Sequence, residues 1–273
     1  MPFAHELAVA RDLATRAGDV LLHFYSSDTG VEWKDEREPV TAADRAANAL
    51  IVDELVRIFP DDGILAEETP DSTGRLSHER LWVIDPMDGT KEFIKRNGEF
   101  SVMIGLAIDG RATVGVVYQP TNRRLYSGVV GSGAHVHEEG AEPRPIAVSD
   151  ISATERMAVA VSRSHRSPEI DAVRQALGIE REVRCGSVGL KVGLICERHC
   201  DLYIHPSPQT KQWDTCAPEA ILAAAGGRFS DLDGAPIDYA SPDLMLRNGI
   251  LASNGALHDE VRAALRGQRS ALG

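Results

Sequence analysis

The length and composition of this chain exclude an intrinsically disordered protein, and its charge excludes polyanions as expected partners. Its 273 residues are 43% hydrophobic and 26% charged, which is typical of a globular fold with a sizeable core. With 41 acidic residues against 29 lysines and arginines, the formal net charge is −12, so nucleic-acid polymers and anionic membranes are repelled and are not expected as partners.

Two helices are expected at the start of the chain. Apolar residues recur at helical spacing over 7–24. A second helix is expected over 41–59. Thr41 is a suitable N-cap with Asp44 three residues later, and Pro60 ends the run.

Strands dominate the middle of the chain and alternate with helices in the second half. Strands are predicted at 64–66, 81–84, 102–108, 112–118, 125–130, 157–161, 202–204 and 246–252, and helices at 170–177, 188–196, 215–225 and 257–265. Pro86 is expected to stop the strand at 81–84. Pro143 and Pro145 mark a boundary between an N-terminal lobe, 1–150, and a C-terminal lobe, 151–273. The pattern indicates an α+β fold in which sheets and helices form layers.

The cysteines and the N-terminus predict a cytoplasmic protein. None of the four cysteines forms a Cys-x-x-Cys pair, so reduced thiols are a simpler interpretation than disulfides. Cys196, His199 and Cys200 could form half of a zinc site, but no second ligand pair follows at the spacing of a zinc finger. The first residues lack the basic and apolar segments of a signal peptide, and no apolar run is long enough to cross a bilayer.

One segment combines a buried type of strand with two carboxylates. Asp85 and Asp88 lie three residues apart in Asp-Pro-Met-Asp-Gly-Thr, directly after the strand. Hard divalent cations prefer oxygen ligands, and a tight turn could direct the Met87 carbonyl to the same point. Gly89 permits a close backbone approach, and its amide and that of Thr90 could hold phosphate oxygens. The alternative interpretation is a simple turn, because Asp, Pro and Gly are all common in turns.

Three other acidic features also have ordinary structural explanations. Glu67 and Glu68 follow a short strand and could form a solvated acidic loop. Asp214 could be only the N-cap of the helix at 215–225, and Asp44 could serve only a capping box. Clustered acids without cations would repel one another and take up protons, so a shared site would need bound metal ions.

The order and spacing of these features resemble the inositol monophosphatase superfamily of Mg²⁺-dependent, lithium-sensitive phosphatases. The matching elements are the early Glu-Glu pair, the Asp-Pro-x-Asp-Gly-Thr segment, and a late Trp-Asp before a helix that ends in Gly-Gly. The resemblance implies a layered α-β-α-β-α sandwich that binds two or three Mg²⁺ ions. The metal ligands that it implies are Glu67, Asp85, the Met87 carbonyl, Asp88 and Asp214. The catalytic residues that it implies are Asp44 and Thr90, which orient and deprotonate the attacking water, together with Glu67.

Within this superfamily, three segments resemble the 3′(2′),5′-bisphosphate nucleotidases. They are Lys91-Glu92-Phe93, Ser162-Arg163-Ser164-His165, and the stretch 207–219. The resemblance implies a small nucleotide substrate, 3′-phosphoadenosine 5′-phosphate or its sulfated relative 3′-phosphoadenosine 5′-phosphosulfate, which loses its 3′-phosphate. The substrate contacts that we expect are Asp88, Gly89, Thr90, His165, Gly186, Ser187, Lys191, Lys211 and Asp214. The second phosphate requires further cations, for which Lys91, Arg163, Lys191 and Lys211 are available.

Several alternatives stay open at this point. The enzyme could instead be an inositol monophosphatase or a broad sugar phosphatase without a pocket for a second phosphate. A catalytically silent metal- or nucleotide-binding module would have lost a ligand, whereas every ligand implied above is present. His165 could cap a helix, Lys191 could be solvated, and Gly186 and Ser187 could merely start a helix. The oligomeric state is not determined by the sequence, and a homodimer is one expectation.

Overall fold

A computed structural model describes residues 2–26, 31–33, 39–163 and 167–272, without the side chains of 31–33, 39–40 and 268–272. The helices are α1 (Ala4–Tyr25), α2 (Ala42–Ile58), α3 (Thr90–Ile94), α4 (Pro168–Leu177), α5 (Val188–Cys196), α6 (Cys216–Ala224) and α7 (His258–Leu272). The strands are β1 (Val31–Trp33), β2 (Pro39–Thr41), β3 (Gly63–Ala66), β4 (Arg80–Asp88), β5 (Ser101–Ile108), β6 (Arg111–Gln119), β7 (Arg124–Val129), β8 (Gly133–Glu138), β9 (Arg144–Ile146), β10 (Ala158–Ser162), β11 (Arg181–Cys185), β12 (Leu202–His205), β13 (Arg228–Ser230) and β14 (Ile250–Ser253).

The strands form two large sheets and one small hairpin. One sheet has seven strands in sequential order from β3 to β9, and only its first pair, β3 with β4, is parallel. The other sheet has five strands in the order β11-β10-β12-β14-β13. Its β10 runs parallel to both β11 and β12, whereas β14 is antiparallel to its two neighbours. β1 and β2 form an antiparallel pair.

Three apolar cores separate the layers. The first lies between helices α1 and α2 and one face of the seven-stranded sheet. The second surrounds α5 and α6 between the two sheets, and the third packs α4 and α7 against the outer face of the five-stranded sheet. Neighbouring strand residues enter different cores, as Trp82 and Val83 do on β4 and Val159 and Ala160 do on β10. The layered α-β-α-β-α sandwich, and with it the α+β class, is confirmed.

A row of glycines lets α6 lie directly on the backbone of the seven-stranded sheet. Gly105, Gly115 and Gly128 are cross-strand partners on β5, β6 and β7. A Cβ atom at Gly105 would lie 2.7 Å from Cys216 Sγ, and one at Gly115 would lie 2.2 Å from the Ala217 carbonyl oxygen. Both distances are shorter than van der Waals contact, so this glycine row fixes how closely α6 approaches the sheet.

The boundaries differ from the sequence-based expectations at a few points. Pro86 does not stop β4, which continues to Asp88. Its pairing with β5 shifts between Asp85 and Asp88, so the proline lies where the ladder is irregular and a missing N–H costs little. The strand expected at 246–252 begins only at Ile250, because the preceding residues turn and the Gly249 amide donates to the Leu246 carbonyl, 3.0 Å away.

The remaining expectations about the chain as a whole have different outcomes. The four cysteines are buried and unpaired, as expected of reduced thiols. β9 ends the first large sheet and β10 begins the second part of the fold, but the two lobes at 1–150 and 151–273 stay a prediction. None of the described helices is both long enough and apolar enough to cross a membrane.

Candidate active site

The irregular end of β4 turns two carboxylates toward the same edge of the sheet. The Met87 amide donates to Asp85 Oδ1 at 2.9 Å, which bends the chain back on the Asp85 side chain. Gly89 has φ of +101°, a conformation that favours glycine, and it begins helix α3. A Cβ atom at Gly89 would also lie 3.0 Å from the Glu99 carbonyl oxygen. The local sequence therefore dictates a sharp turn directly after Asp88.

Four carboxylates gather at this edge, and we call Glu67, Asp85, Asp88 and Asp214 the acidic cluster. The Glu67 amide donates to the Ile84 carbonyl at 3.1 Å, so the end of β3 lies beside the end of β4. Burial, followed by the charges of Glu67, Asp88 and Asp214, raises the pKa of Asp85 well above its ordinary value. Burial and the charge of Glu67 do the same to the pKa of Asp214. The four side chains are thus close enough to repel one another.

The chemistry of the acidic cluster fits a divalent cation. Carboxylates and the Met87 carbonyl are the hard oxygen donors that Mg²⁺ prefers, and a cation would offset their mutual repulsion. Among the described residues, however, no three acidic, His or Cys side chains are arranged so that they could hold one ion. Ligation would therefore require rotation of the carboxylates. Glu67, Asp88 and Asp214 are partly exposed, so an ion could reach them from solvent.

The carboxylate of Asp44 takes part in two different contacts, one with each oxygen. Its Oδ2 accepts from the Thr41 amide at 2.7 Å and from the Thr41 hydroxyl at 2.6 Å, which completes a capping box at the start of α2. Its Oδ1 accepts from the Thr90 hydroxyl at 3.3 Å. Burial raises the pKa of Asp44 to about 6, although the bonds from Thr41 oppose the shift. The capping role and the contact with Thr90 are therefore both present.

Ser187 and Lys191 support Asp88 from within the protein. The Ser187 hydroxyl donates a short hydrogen bond to Asp88 Oδ2, and the Gly189 amide donates to the same oxygen at 3.0 Å. Lys191 is 1% exposed, and its Nζ donates to the carbonyls of Gly186 and Ser187 at 2.6 and 3.2 Å. The alternative of a solvated Lys191 is therefore wrong. Direct contact of Ser187, Lys191 and Gly186 with a substrate stays a prediction.

Asp214 belongs to a short 3₁₀ turn that immediately precedes α6. The Lys211 amide donates to Asp214 Oδ2 at 2.7 Å, so Asp214 also caps its own turn. Lys211 Nζ lies 5.2 Å from the centre of the Trp213 ring. Gln212 Nε2 donates to three backbone carbonyls, at 238, 241 and 243, and thereby holds that loop against the turn.

The structure brings most of the predicted site residues into one region and adds others. The acidic cluster, Thr90 and Asp44 lie together at the end of the parallel strand pair, and His165 lies outside the described residues. Sequence reasoning did not identify Ser101, whose hydroxyl lies 2.9 Å from the Ser187 hydroxyl, or Glu99, which pairs with Arg163. No local motif marks either residue, because both contacts join distant parts of the chain.

The chain is similar to known proteins over most of its length. A model of the inositol monophosphatase family matches residues 4–270. The 3′(2′),5′-bisphosphate nucleotidase CysQ of Escherichia coli is 39% identical over 88% of this chain and 96% of its own length. A histidinol-phosphatase of Mycobacterium tuberculosis is 33% identical over 95% of this chain and 97% of its own length. The solved inositol monophosphatase of Anabaena superposes with a TM-score of 0.80 at 30% identity, over 98% of this chain and 97% of its own.

Proposed function

Because this chain belongs to the inositol monophosphatase family of metal-dependent phosphatases, we propose that it hydrolyses the 3′-phosphate of a 3′,5′-bisphosphate nucleotide with the help of Mg²⁺. The substrate that we propose is 3′-phosphoadenosine 5′-phosphate, with 3′-phosphoadenosine 5′-phosphosulfate as a second substrate. The products are adenosine 5′-phosphate or adenosine 5′-phosphosulfate, and inorganic phosphate. The observation that carries the proposal is the acidic cluster beside the Asp44 and Thr90 pair.

The proposed ion site uses oxygen donors from three parts of the chain. Glu67, Asp85, the Met87 carbonyl, Asp88 and Asp214 would hold two or three Mg²⁺ ions. When bound, such ions polarise the phosphoryl group, lower the pKa of water and stabilise both the attacking and the leaving oxygen. The repulsion among the four carboxylates supports this assignment, because cations relieve it.

Asp44 and Thr90 have the geometry of a proton relay. The Thr90 hydroxyl lies 3.3 Å from Asp44 Oδ1 and also 3.3 Å from the Met87 carbonyl oxygen. When it donates to Asp44, the lone pairs of its oxygen can accept a hydrogen bond from a water molecule. As that water attacks phosphorus, Thr90 would receive its proton and pass its own proton to Asp44. A carboxyl group with a pKa of about 6 is mostly ionised at neutral pH and still basic enough to accept it.

The nucleotide is preferred over other esters because of residues outside the ion site. The segment at 91–93 and the stretch at 207–219 resemble the nucleotidases, and the CysQ protein of E. coli has the highest identity among the relatives described above. A second candidate is a phosphatase for inositol phosphates or other small phosphate esters. The similarity to the Anabaena inositol monophosphatase and to the mycobacterial histidinol-phosphatase favours that candidate.

A competition between substrates tests the proposal. Phosphate release would be measured with 3′-phosphoadenosine 5′-phosphate, inositol 1-phosphate and histidinol phosphate at equal low concentration with Mg²⁺. We expect kcat/KM for the nucleotide to exceed the others by about 100-fold, which is about 2.7 kcal/mol of differential transition-state binding. The reverse preference would retain the ion site but reject the nucleotide assignment, and no turnover of any ester would reject both.

Three further expectations remain predictions of the same kind. A cytoplasmic location and an organisation into two lobes can be tested by fractionation and by limited proteolysis between 143 and 158. A homodimer can be tested by light scattering on the purified protein. None of them affects the assignment of the acidic cluster.

A further inference from the structure

An exposed ion pair bridges the two sheets at the edge of the candidate site. Arg163 follows β10 directly, and its Nε and Nη2 atoms donate to the two carboxylate oxygens of Glu99 at 2.5 and 2.6 Å. Glu99 lies in the loop between α3 and β5, on the side of the seven-stranded sheet. The Arg163 side chain is 46% exposed, so this bidentate pair is accessible to a ligand. It is the geometry in which arginine also binds phosphate.

The pair lies next to the backbone that surrounds Asp88. Ser162, the last residue of β10, is the cross-strand partner of Cys185, which immediately precedes Gly186 and Ser187. The Glu99 carbonyl oxygen would lie 3.0 Å from a Cβ atom at Gly89 and 2.8 Å from one at Gly186. The Glu99 carbonyl therefore lies between Gly89, which follows Asp88, and Gly186, which precedes Ser187. Arg163 directly follows Ser162, whose partner strand leads into Gly186.

The topology of the five-stranded sheet predicts a ligand crevice at this position. The chain places β11 on one side of β10 and then β12 on the other, so the strand order reverses beside β10. In open α/β sheets, ligands bind outside the carboxyl ends of the strands at such a reversal. A cavity of about 90 Å³ lies at this end of β10, on the side of the sheet that α4 covers. Its lining residues include Ser162, Arg163, Ile170, Asp171, Glu182 and Arg184.

We propose that the pair of Arg163 and Glu99 selects bisphosphate substrates, because the second phosphate replaces the Glu99 carboxylate on the Arg163 guanidinium. This inference rests on the proposed function and adds the residue that recognises the remote phosphate. A phosphate dianion offers the same two acceptor oxygens as a carboxylate and carries more charge. A monophosphate ester held at the acidic cluster has no group that could make this exchange, so it leaves the ion pair intact.

Two other cations near the site, Lys191 and Arg184, are less suited to this role. Lys191 is buried and donates to backbone carbonyls. Arg184 pairs with Glu182 of its own strand at 3.0 Å and lies one residue before the end of β11. Arg163 is held by Glu99, from the loop that precedes β5 of the other sheet. Replacement of Glu99 by a phosphate would therefore also remove a contact between the two sides of the site.

The test compares single and double variants on two substrates, 3′-phosphoadenosine 5′-phosphate and inositol 1-phosphate. Arg163→Ala should lower kcat/KM for the nucleotide about 10-fold or more, mainly through KM, and should leave the inositol ester unchanged. Glu99→Gln should raise kcat/KM for the nucleotide about 3-fold, because a weaker competitor remains on Arg163. In the Arg163→Ala background that gain should disappear.

Matched controls make the outcome decisive. Arg228→Ala removes an arginine that is 43% exposed and paired with Asp259 far from the site, and it should change neither substrate. The inference alone would be overturned if Arg163→Ala lowered kcat/KM equally for both substrates or lowered only kcat. It would also be overturned if Arg184→Ala, and not Arg163→Ala, lowered kcat/KM for the nucleotide. A wild-type enzyme without preference for the nucleotide would overturn the proposed function and this inference together. Thermal unfolding of each variant separates these results from misfolding.

Discussion

Glu197 and the acidic cluster both lie where the seven-stranded sheet meets the segments around α5 and α6, and the charges that surround them are opposite in sign. Glu197, just after α5, accepts hydrogen bonds from Arg124, from the Tyr126 hydroxyl at 2.8 Å and from Arg144 at 2.6 Å. Burial alone would raise the pKa of Glu197, but these bonds lower it below its ordinary value. In the acidic cluster, burial and neighbouring carboxylates act in the same direction and raise the pKa of Asp85 and Asp214.

This difference is the one expected between a carboxylate with a structural role and carboxylates that bind a cation. A carboxylate that only joins two layers is stabilised by partners of opposite charge within the protein. The acidic cluster is left with like-charged neighbours, which is unfavourable for folding unless a ligand of opposite charge binds there. Removal of a carboxylate from the acidic cluster should therefore affect activity more than stability, whereas removal of the Glu197 carboxylate should affect stability more than activity.

The largest effect is expected at Asp88. Asp88→Asn should lower kcat by about 1,000-fold, because it removes a charge that we assign to the ion site. The apparent melting temperature in the presence of a chelator should change little, because relief of the repulsion between Asp88 and Asp85 is offset by weaker hydrogen bonds from Ser187 and the Gly189 amide. Steady-state kinetics and calorimetry of the same preparation check both parts. Near-normal turnover would contradict the ion-site assignment.

A smaller loss of turnover is expected at Asp44. Like Glu197, it is held by hydrogen bonds within the protein, and like the acidic cluster, it has a raised pKa. Asp44→Asn should lower kcat about 100-fold and leave the Mg²⁺ concentration for half-maximal activity nearly unchanged, because Asp44 is assigned to proton transfer rather than to metal binding. Asparagine can still accept a bond from the Thr41 amide, so the cap of α2 should survive. A variant that fails to fold would show that the capping role predominates.

At Glu197 we expect an effect on stability without an effect on chemistry. Glu197→Gln should lower the free energy of unfolding by about 2–3 kcal/mol, because it weakens charge-assisted bonds to Arg124 and Arg144. The kcat of the folded enzyme should not change. Urea unfolding followed by fluorescence measures the first quantity. A loss of kcat comparable to that of the Asp88 variant would remove the distinction between the two regions.

The smallest effect is a pH dependence that distinguishes Asp44 from an ordinary carboxylate. Its pKa is about 6 in the folded protein against 3.8 for an exposed group, so folding becomes less favourable as pH rises from about 4 to about 6 and changes little above that. The stability of the wild type relative to Asp44→Asn, measured in chelator, should fall by about 2 kcal/mol between pH 4 and pH 7. A constant difference would show that Asp44 titrates normally.

Local sequence patterns were sufficient for the parts of the site that lie within one segment. The turn after β4 follows from Gly89, and the Thr41–Asp44 capping box follows from residue spacing. The carboxylates of the acidic cluster could be identified because each follows a predicted strand or precedes a predicted helix in an order typical of the family. The α5 boundaries at Val188 and Cys196 were likewise predictable from an apolar run.

Contacts between distant segments could not be predicted in the same way. The bond from Ser187 to Asp88 and the pair of Arg163 with Glu99 depend on how the two sheets meet, which periodicity does not describe. β11 was missed because its alternating charges, as at Arg181 and Arg184, resemble a loop, although an edge strand tolerates them. The burial of Lys191 was equally hidden, since a lone lysine in an apolar helix is usually assumed to reach solvent.

The glycine row under α6 also fixes where the helix, and with it Asp214, lies relative to the seven-stranded sheet. α6 begins two residues after Asp214 and rests on backbone atoms at Gly105 and Gly115, which have no rotamers through which they could yield. The close packing of α6 on the sheet thus fixes the backbone of Asp214 relative to the carboxylates of β4. In a relative with a larger residue in the row, α6 would have to lie farther from the sheet, and Asp214 would move with it. We therefore expect relatives that hydrolyse phosphate esters to carry glycine at these three positions as well as the acidic residues.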